Sequence, residues 1–242
     1  MNKKNTKKPK TPIKKPNNLR NTFKKAFTYL VVCFVIASFT SCLAMRWIPP
    51  LTSMVMVYRH VQDLPNFKWI NYTWVSEEHI SNNAFVAVIA SEDQRFFQHF
   101  GFDFEAIQDS VEDYIDGEKL RGASTITQQV AKNLYLTPSR SFIRKGLEIW
   151  FTLLLEICWD KQRIIEVYLN IAEFGDHIFG IEAASRHYFG ISAKQLSKQQ
   201  AALLAATLPN PIRFKADKPT AYLLKRQAWI LRQMPNISYK RN

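Results

Sequence analysis

The run Ser91-Glu92-Asp93-Gln94-Arg95-Phe96-Phe97-Gln98-His99-Phe100-Gly101-Phe102-Asp103 holds the residue types that acid–base chemistry needs. Two adjacent carboxylates stand at the end of the apolar stretch from Ala84 to Ala90. A carboxyl group there is partly desolvated, which suits general-base work. Taken alone, an acid pair beside Arg95 is more often a satisfied ion pair than a catalyst. A second set lies further on. Arg144, Glu148, Thr152 and Glu156 recur every four residues and so share one line of a helix, with Lys145 three residues before Glu148. Buried charges need partners. The stripe is therefore either an internal Arg144–Glu148 pair or two cations beside a carboxylate that suit an anionic ligand.

Between the two sets runs Arg121-Gly122-Ala123-Ser124-Thr125-Ile126-Thr127-Gln128-Gln129-Val130-Ala131-Lys132-Asn133-Leu134. After it come Arg140-Ser141-Phe142-Ile143-Arg144-Lys145-Gly146-Leu147-Glu148 and Lys161-Gln162-Arg163-Ile164-Ile165-Glu166-Val167-Tyr168-Leu169-Asn170. In order and spacing, these blocks and the first run resemble the four motifs of the bacterial peptidoglycan glycosyltransferases (family 51 glycosyltransferases). Those motifs are E-D-x-x-F-x-x-H-x-G, G-x-S-T-I-T-Q-Q with K-N following, R-K-x-x-E, and K-x-x-I-L-E-x-Y-L-N. Ile165 stands where leucine is usual, a volume-conserving change. The resemblance covers about residues 46 to 235, and four long motifs in register are far more specific than one short pattern.

The resemblance implies polymerisation of a disaccharide carried on a polyprenyl pyrophosphate (lipid II) into β-1,4-linked glycan. The acceptor 4-hydroxyl attacks the donor's anomeric carbon with inversion, and undecaprenyl diphosphate leaves. By the same resemblance, Glu92 matches the catalytic glutamate and Glu148 the second one, which orients the donor or holds a divalent metal. Lys132, Arg140, Arg144 and Lys145 match the pyrophosphate-binding cations. Ser124, Thr125, Gln128 and Gln129 offer uncharged donors and acceptors to sugar and phosphate oxygens, though each is also a candidate helix cap. Asp93, Phe96, Phe97, His99, Glu166, Tyr168 and Asn170 are expected to support the fold, with Asp93 serving as a cap or as the partner of Arg95. Glu92 and Glu148 should face one cleft, with the cations nearer Glu148. No cofactor is required. The chain offers no dedicated metal-binding residues, and a magnesium or manganese ion on the substrate phosphates is optional. The expected partners are lipid II, the growing glycan chain and membrane lipid, with cell-wall synthesis or division proteins as further candidates.

The charge distribution supports this assignment. Residues 1–25 carry nine lysines, Arg20 and no acid, so they contribute +10 of the formal net charge of +13. Their proline, asparagine and lysine content predicts a disordered basic tail. Residues 26–45 are uncharged and mostly apolar, enough at about 1.5 Å per residue to cross a hydrocarbon core of about 30 Å. The positive flank predicts a cytoplasmic N-terminus, a single span of the bacterial inner membrane and an exported catalytic domain. That topology argues against nucleic acid as the partner of the tail, which also lacks an aromatic stacking pattern. A cleaved signal peptide is disfavoured because no small-x-small site follows the apolar run. The three cysteines give neither a disulfide framework nor metal-ligand spacing.

The expected fold is mainly α, a lysozyme-like helical glycosyltransferase domain (76–242) behind one N-terminal transmembrane helix (26–45) and a juxtamembrane segment (46–75). Pro49 and Pro50 should break the first helix. Ser197 and Gln200 form a capping box for a helix over 198–207, and Phe142 to Trp159 reads as a core helix apolar nearly all round. Residues 109–138 are more polar and less periodic, which predicts a mobile segment, and no alternating strands are visible. A lytic enzyme acting on the same glycan is the rival reading, but a hydrolase has no pyrophosphate for the four cations to neutralise. No S-x-x-K with a downstream K-T-G follows, so a transpeptidase domain is not expected.

Overall fold

The computed structural model describes residues 19–64, 68–117, 122, 124–139 and 141–240. The chain divides into an N-terminal unit, Met1–Thr40, and a larger unit, Ser41–Asn242. Helix α1 spans Leu19–Ala44. Its stretch Arg20–Ala44, whose most apolar 18 residues have mean hydropathy 2.1, is long and apolar enough to cross a membrane. It starts before the apolar run because Arg20, Lys24 and Lys25 are good helix formers. Residues 19–25, read in the sequence as tail, are therefore helical, while 1–18 lie outside the described residues.

The larger unit is helical with a minimal sheet. Its helices are α2 (Met54–Gln62), α3 (Asn82–Glu92), α4 (Phe104–Ile115), α5 (Ile126–Tyr135), α6 (Phe142–Cys158), α7 (Lys161–Ile171), α8 (Ile181–Phe189), α9 (Lys198–Thr207) and α10 (Ala221–Gln233). Helix α3 is buried on nearly every side through Phe85, Val88, Ile89 and its alanines, and it packs against α9 and α10. Helix α5 packs against α6 and α7. The capping box at Ser197 and Gln200 opens α9 as expected.

Three differences from the sequence expectation have physical causes. Short strands β1 (Asn71–Tyr72), β2 (Glu173–Gly175) and β3 (Ile178–Phe179) form a sheet in the order β1-β3-β2, with β1 parallel and β2 antiparallel to β3. Strands of two or three residues are too short to show alternation in sequence. Second, the described part of 109–138, which leaves out residues 118–121 and 123, contains the end of α4 and all of α5. The latter is opened by a reciprocal capping box between Thr125 and Gln128 and anchored by buried Ile126, Val130, Ala131 and Leu134. Third, α6 is not a core helix all round. Glu148, Phe151, Leu154 and Leu155 are buried, but Phe142, Ile143 and Ile157 are exposed, Phe142 almost completely at 99 %.

The motif around Asn170 ties α7 to the chain before α3. Its side-chain carbonyl accepts from the Val75 amide at 2.9 Å, and its amide donates to the carbonyls of Val75 and Glu166, both at 2.9 Å. Glu166 accepts from the Glu77 amide at 2.8 Å. Gly180 crosses this region at φ +86, where a Cβ would sit 2.5 Å from the Asn170 carbonyl oxygen. Asn170→Ala leaves the buried contacts of Val75 unmade, at a cost of about 2–4 kcal/mol. The thermal midpoint of the detergent-solubilised protein should fall by roughly 5–15 °C. An unchanged midpoint in a thermal melt contradicts this account of the α7 anchor.

Candidate active site

Glu92 is the last residue of α3 and Asp93 its C-cap. Two carboxylates at the C-terminal end of a helix face the negative end of its dipole, so both need donors from elsewhere. Asp93 finds them in the backbone amide of Ile126, the first residue of α5, at 3.0 Å, and in the His99 ring at 2.9 Å. The N-terminus of α5 thus meets the C-terminus of α3 around one carboxylate. Arg95 is not the partner of Asp93; it pairs with Glu105 and lies 3.7 Å from Asp103. Ring and helix end are better placed because the turn after α3 brings His99 back beneath Asp93.

The same turn explains Gly101. Its φ is +77, and a Cβ there would lie 2.8 Å from the Thr152 methyl group and 3.1 Å from Glu156 Cγ. Its carbonyl accepts the Thr125 hydroxyl at 2.7 Å. Beneath it, buried Glu156 accepts from Thr127 at 2.6 Å and from Lys161 at 2.7 Å. Residues of the first, second and fourth sequence motifs, with Thr152 and Glu156 from the α6 turns after the third, therefore share one packed junction. Phe96 lies in it, fully buried under the Lys161 ammonium at 4.6 Å, whereas Phe97 is partly exposed.

The Glu92 carboxylate is held by neutral donors and one distant cation. Ser91 Oγ donates to Oε1 at 2.9 Å, Gln129 Nε2 to Oε2 at 3.2 Å, and Arg226 Nη2 approaches Oε1 at 3.5 Å. Gln129 is fixed in turn by the Tyr168 hydroxyl, which donates to its Oε1 at 3.1 Å. Burial pushes the Tyr168 hydroxyl well above its ordinary pKa, and the nearby charges of Glu92 and Asp93 push the same way. A cavity of about 250 Å³ opens beside Glu92, lined also by Ser91, Gln94, Arg95, Ser124 and Thr125.

Glu148 is the opposite case. It is almost fully buried, with Arg144 donating to Oε2 at 2.6 Å and Lys145 donating to Oε1. The internal pair offered by the sequence is present, and it holds two cations in place. Lys132 joins them from α5. Burial pushes its pKa down, Glu148 and Glu92 oppose that shift, and Arg144 and Lys145 reinforce it. Lys132 thus lies within electrostatic reach of both glutamates, with Glu148 the stronger influence. Lys132 and Gln129 line a second cavity of about 150 Å³ with Asn133 and Tyr168. Their spacing of three and four residues puts them on one side of α5.

Among the predicted binding residues, Ser124 is exposed at the mouth of the first cavity. Thr125 and Gln128 are buried, and their oxygens serve the capping box. Arg140 lies outside the described residues. Asp93, His99 and Asp103 bring ligand atoms within 4.8 Å of one another, but Asp93 serves the Ile126 amide and Asp103 caps α4 through the Ala106 amide. Sequence reasoning missed Arg226. A signal was present, because Leu223, Arg226 and Ile230 share one face of α10 and the two apolar residues are fully buried.

Residues 60–235 match the family described as Transglycosylase. The chain is similar to proteins named biosynthetic peptidoglycan transglycosylase. It is 53 % identical to that of Haemophilus influenzae, with 89 % of each chain covered. Identity to the Pseudomonas fluorescens protein is 51 %, covering 90 % of this chain and 92 % of the relative. For the Shewanella oneidensis protein it is 50 %, with 88 % and 93 % covered. The helical architecture agrees with these matches, and the chain belongs to the transglycosylase family, whose domain is lysozyme-like.

Proposed function

We propose that the protein is a peptidoglycan glycosyltransferase in which Glu92 is the general base and Lys132, Arg140, Arg144 and Lys145 bind the donor's pyrophosphate. The supporting observation is Lys132, half-buried and within reach of both glutamates, beside two cations already fixed on Glu148. Glu92 takes the proton of the acceptor 4-hydroxyl, whose oxygen attacks the donor's anomeric carbon. The bond from that carbon to the phosphate oxygen breaks on the opposite face, giving a β-1,4 linkage, and its electron pair leaves with undecaprenyl diphosphate. The cations stabilise the charge that develops there, and because they are preorganised they need little rearrangement during the step. Cleavage of glycan is disfavoured, since hydrolysis creates no such anion.

The domain plan follows the same reading: a basic cytoplasmic tail, one span within α1, a juxtamembrane segment and an extracytoplasmic catalytic domain in the inner membrane. Exposed Phe104, Ile115, Phe142 and Ile143 are the kind of surface that membrane lipid covers. A divalent cation fits only with substrate help. Glu148 is one carboxylate with a cation on each oxygen, so magnesium or manganese would take most of its ligands from phosphate oxygens and water.

Two measurements test the roles. Glu92→Gln should lower polymerisation of labelled lipid II by roughly 10²–10⁴-fold with an unchanged thermal midpoint. Asp93→Asn should instead lower the midpoint, because it weakens the junction of α3 and α5. Near-normal turnover in Glu92→Gln removes the base assignment.

The second test uses pH. Lys132 has a depressed pKa, so kcat/KM should fall on the alkaline side as its ammonium loses its proton. Arginine stays charged there, and Lys132→Arg should move that loss to higher pH even if its turnover at neutral pH is lower. Identical alkaline limbs in the two proteins contradict a pyrophosphate role for this cation.

A further inference from the structure

Arg226 reaches the Glu92 site from α10, 134 positions along the chain. Its Nη2 donates to Ser91 Oγ at 3.1 Å and stands 3.5 Å from Glu92 Oε1. Ser91 Oγ, having accepted from Arg226, gives its own proton to the same Oε1 at 2.9 Å. The guanidinium therefore acts on the carboxylate both directly and through a hydroxyl. Gln129 secures the other oxygen from α5, so Glu92 is gripped from two sides, by α5 and by α10.

A purely structural salt bridge would look different. Helix α10 is already seated by Leu223 and Ile230, both fully buried one turn to either side of Arg226. A single end-on approach at 3.5 Å is weak as an ion pair compared with a two-pronged arginine–carboxylate contact. The Nε of Arg226 is buried without a hydrogen-bond partner. A buried donor left unmatched costs free energy, and a lysine or an apolar side chain would seat the helix without that cost. What arginine adds is a planar head whose terminal nitrogen meets Ser91 and Glu92 together.

We propose that Arg226 is a positioning residue for Glu92: with Ser91 it fixes the rotamer that keeps one carboxylate oxygen directed at the cavity where the acceptor hydroxyl binds. This rests on the reading of Glu92 as the base. Arg226 does not touch substrate in this account. Its contribution belongs to the alignment of the proton acceptor, and misalignment by about 1 Å lowers turnover by up to about 10²-fold.

The test is steady-state polymerisation of lipid II by the full-length detergent-purified protein, with thermal melts on every variant. Arg226→Ala should lower kcat by about 10- to 100-fold while KM changes by less than about twofold, because binding is untouched. The melting midpoint should stay near that of the parent protein. Arg226→Lys should recover part of kcat, since the charge returns without the planar head. Arg226→Gln, which keeps much of the stem length without the charge, should resemble alanine in kcat. Wild-type kcat in either neutral variant overturns the proposal. So does a loss of kcat matched by a fall in midpoint that lysine and glutamine both share. Glu92→Gln, run alongside, separates the two readings: if it retains activity the base assignment itself fails, whereas an inactive Glu92→Gln beside a fully active Arg226→Ala removes only the positioning role.

Discussion

Helix α3 ends in two carboxylates at the pole of its dipole that repels them, and the surrounding structure is arranged around that conflict. Asp93 is satisfied by the first amide of α5, so the unfavourable end of one helix is neutralised by the favourable start of another. That contact fixes where α5 begins. It thereby sets the positions of Gln129, which holds Glu92, and of Lys132, which feels the charge of both glutamates. His99 and Gly101 serve the same junction from the turn after α3, and the tight contact of Gly101 with Thr152 and Glu156 brings α6 into place.

The two glutamates consequently sit in different electrostatic surroundings. Glu92 is held mainly by a serine and an amide, with one guanidinium at longer range. Glu148 is saturated by two cations and buried. Two cations fixed on Glu148, with Lys132 in electrostatic reach, make that part of the proposed site positively charged. Transfer from a pyrophosphate donor needs anion stabilisation kept apart from proton acceptance, and the proposed roles give these tasks to different residues.

Much of this was legible in the sequence because the motifs are local. The capping boxes at Thr125 and Ser197 mark helix starts within four residues, and the four-residue spacing of Arg144, Glu148, Thr152 and Glu156 already placed one charged line on α6. Contacts made across the chain were not legible. The sequence predicts Asp93 as a cap or as the partner of Arg95; it is the C-cap of α3, but the turn after α3 delivers His99 as its partner, and the amide of Ile126 comes from 33 residues away. Arg226 belongs to no motif read in the sequence, and its contact with Glu92 depends on the packing of α10 on α3. The polar stretch 109–138 lacked apolar periodicity, yet capping and the burial of Ile126, Val130 and Leu134 make α5 regular.

The central proposal is that Glu92 accepts the proton while Lys132, Arg144 and Lys145 bind the pyrophosphate. A crystal structure of the protein with an unreactive lipid II analogue tests this most directly. The account predicts phosphate oxygens in hydrogen-bond contact with Lys132 and with Arg144 or Lys145, and a sugar hydroxyl roughly 2.6–3.2 Å from Glu92. A pyrophosphate bound away from Lys132, or a sugar hydroxyl delivered to Glu148 and not to Glu92, would contradict it.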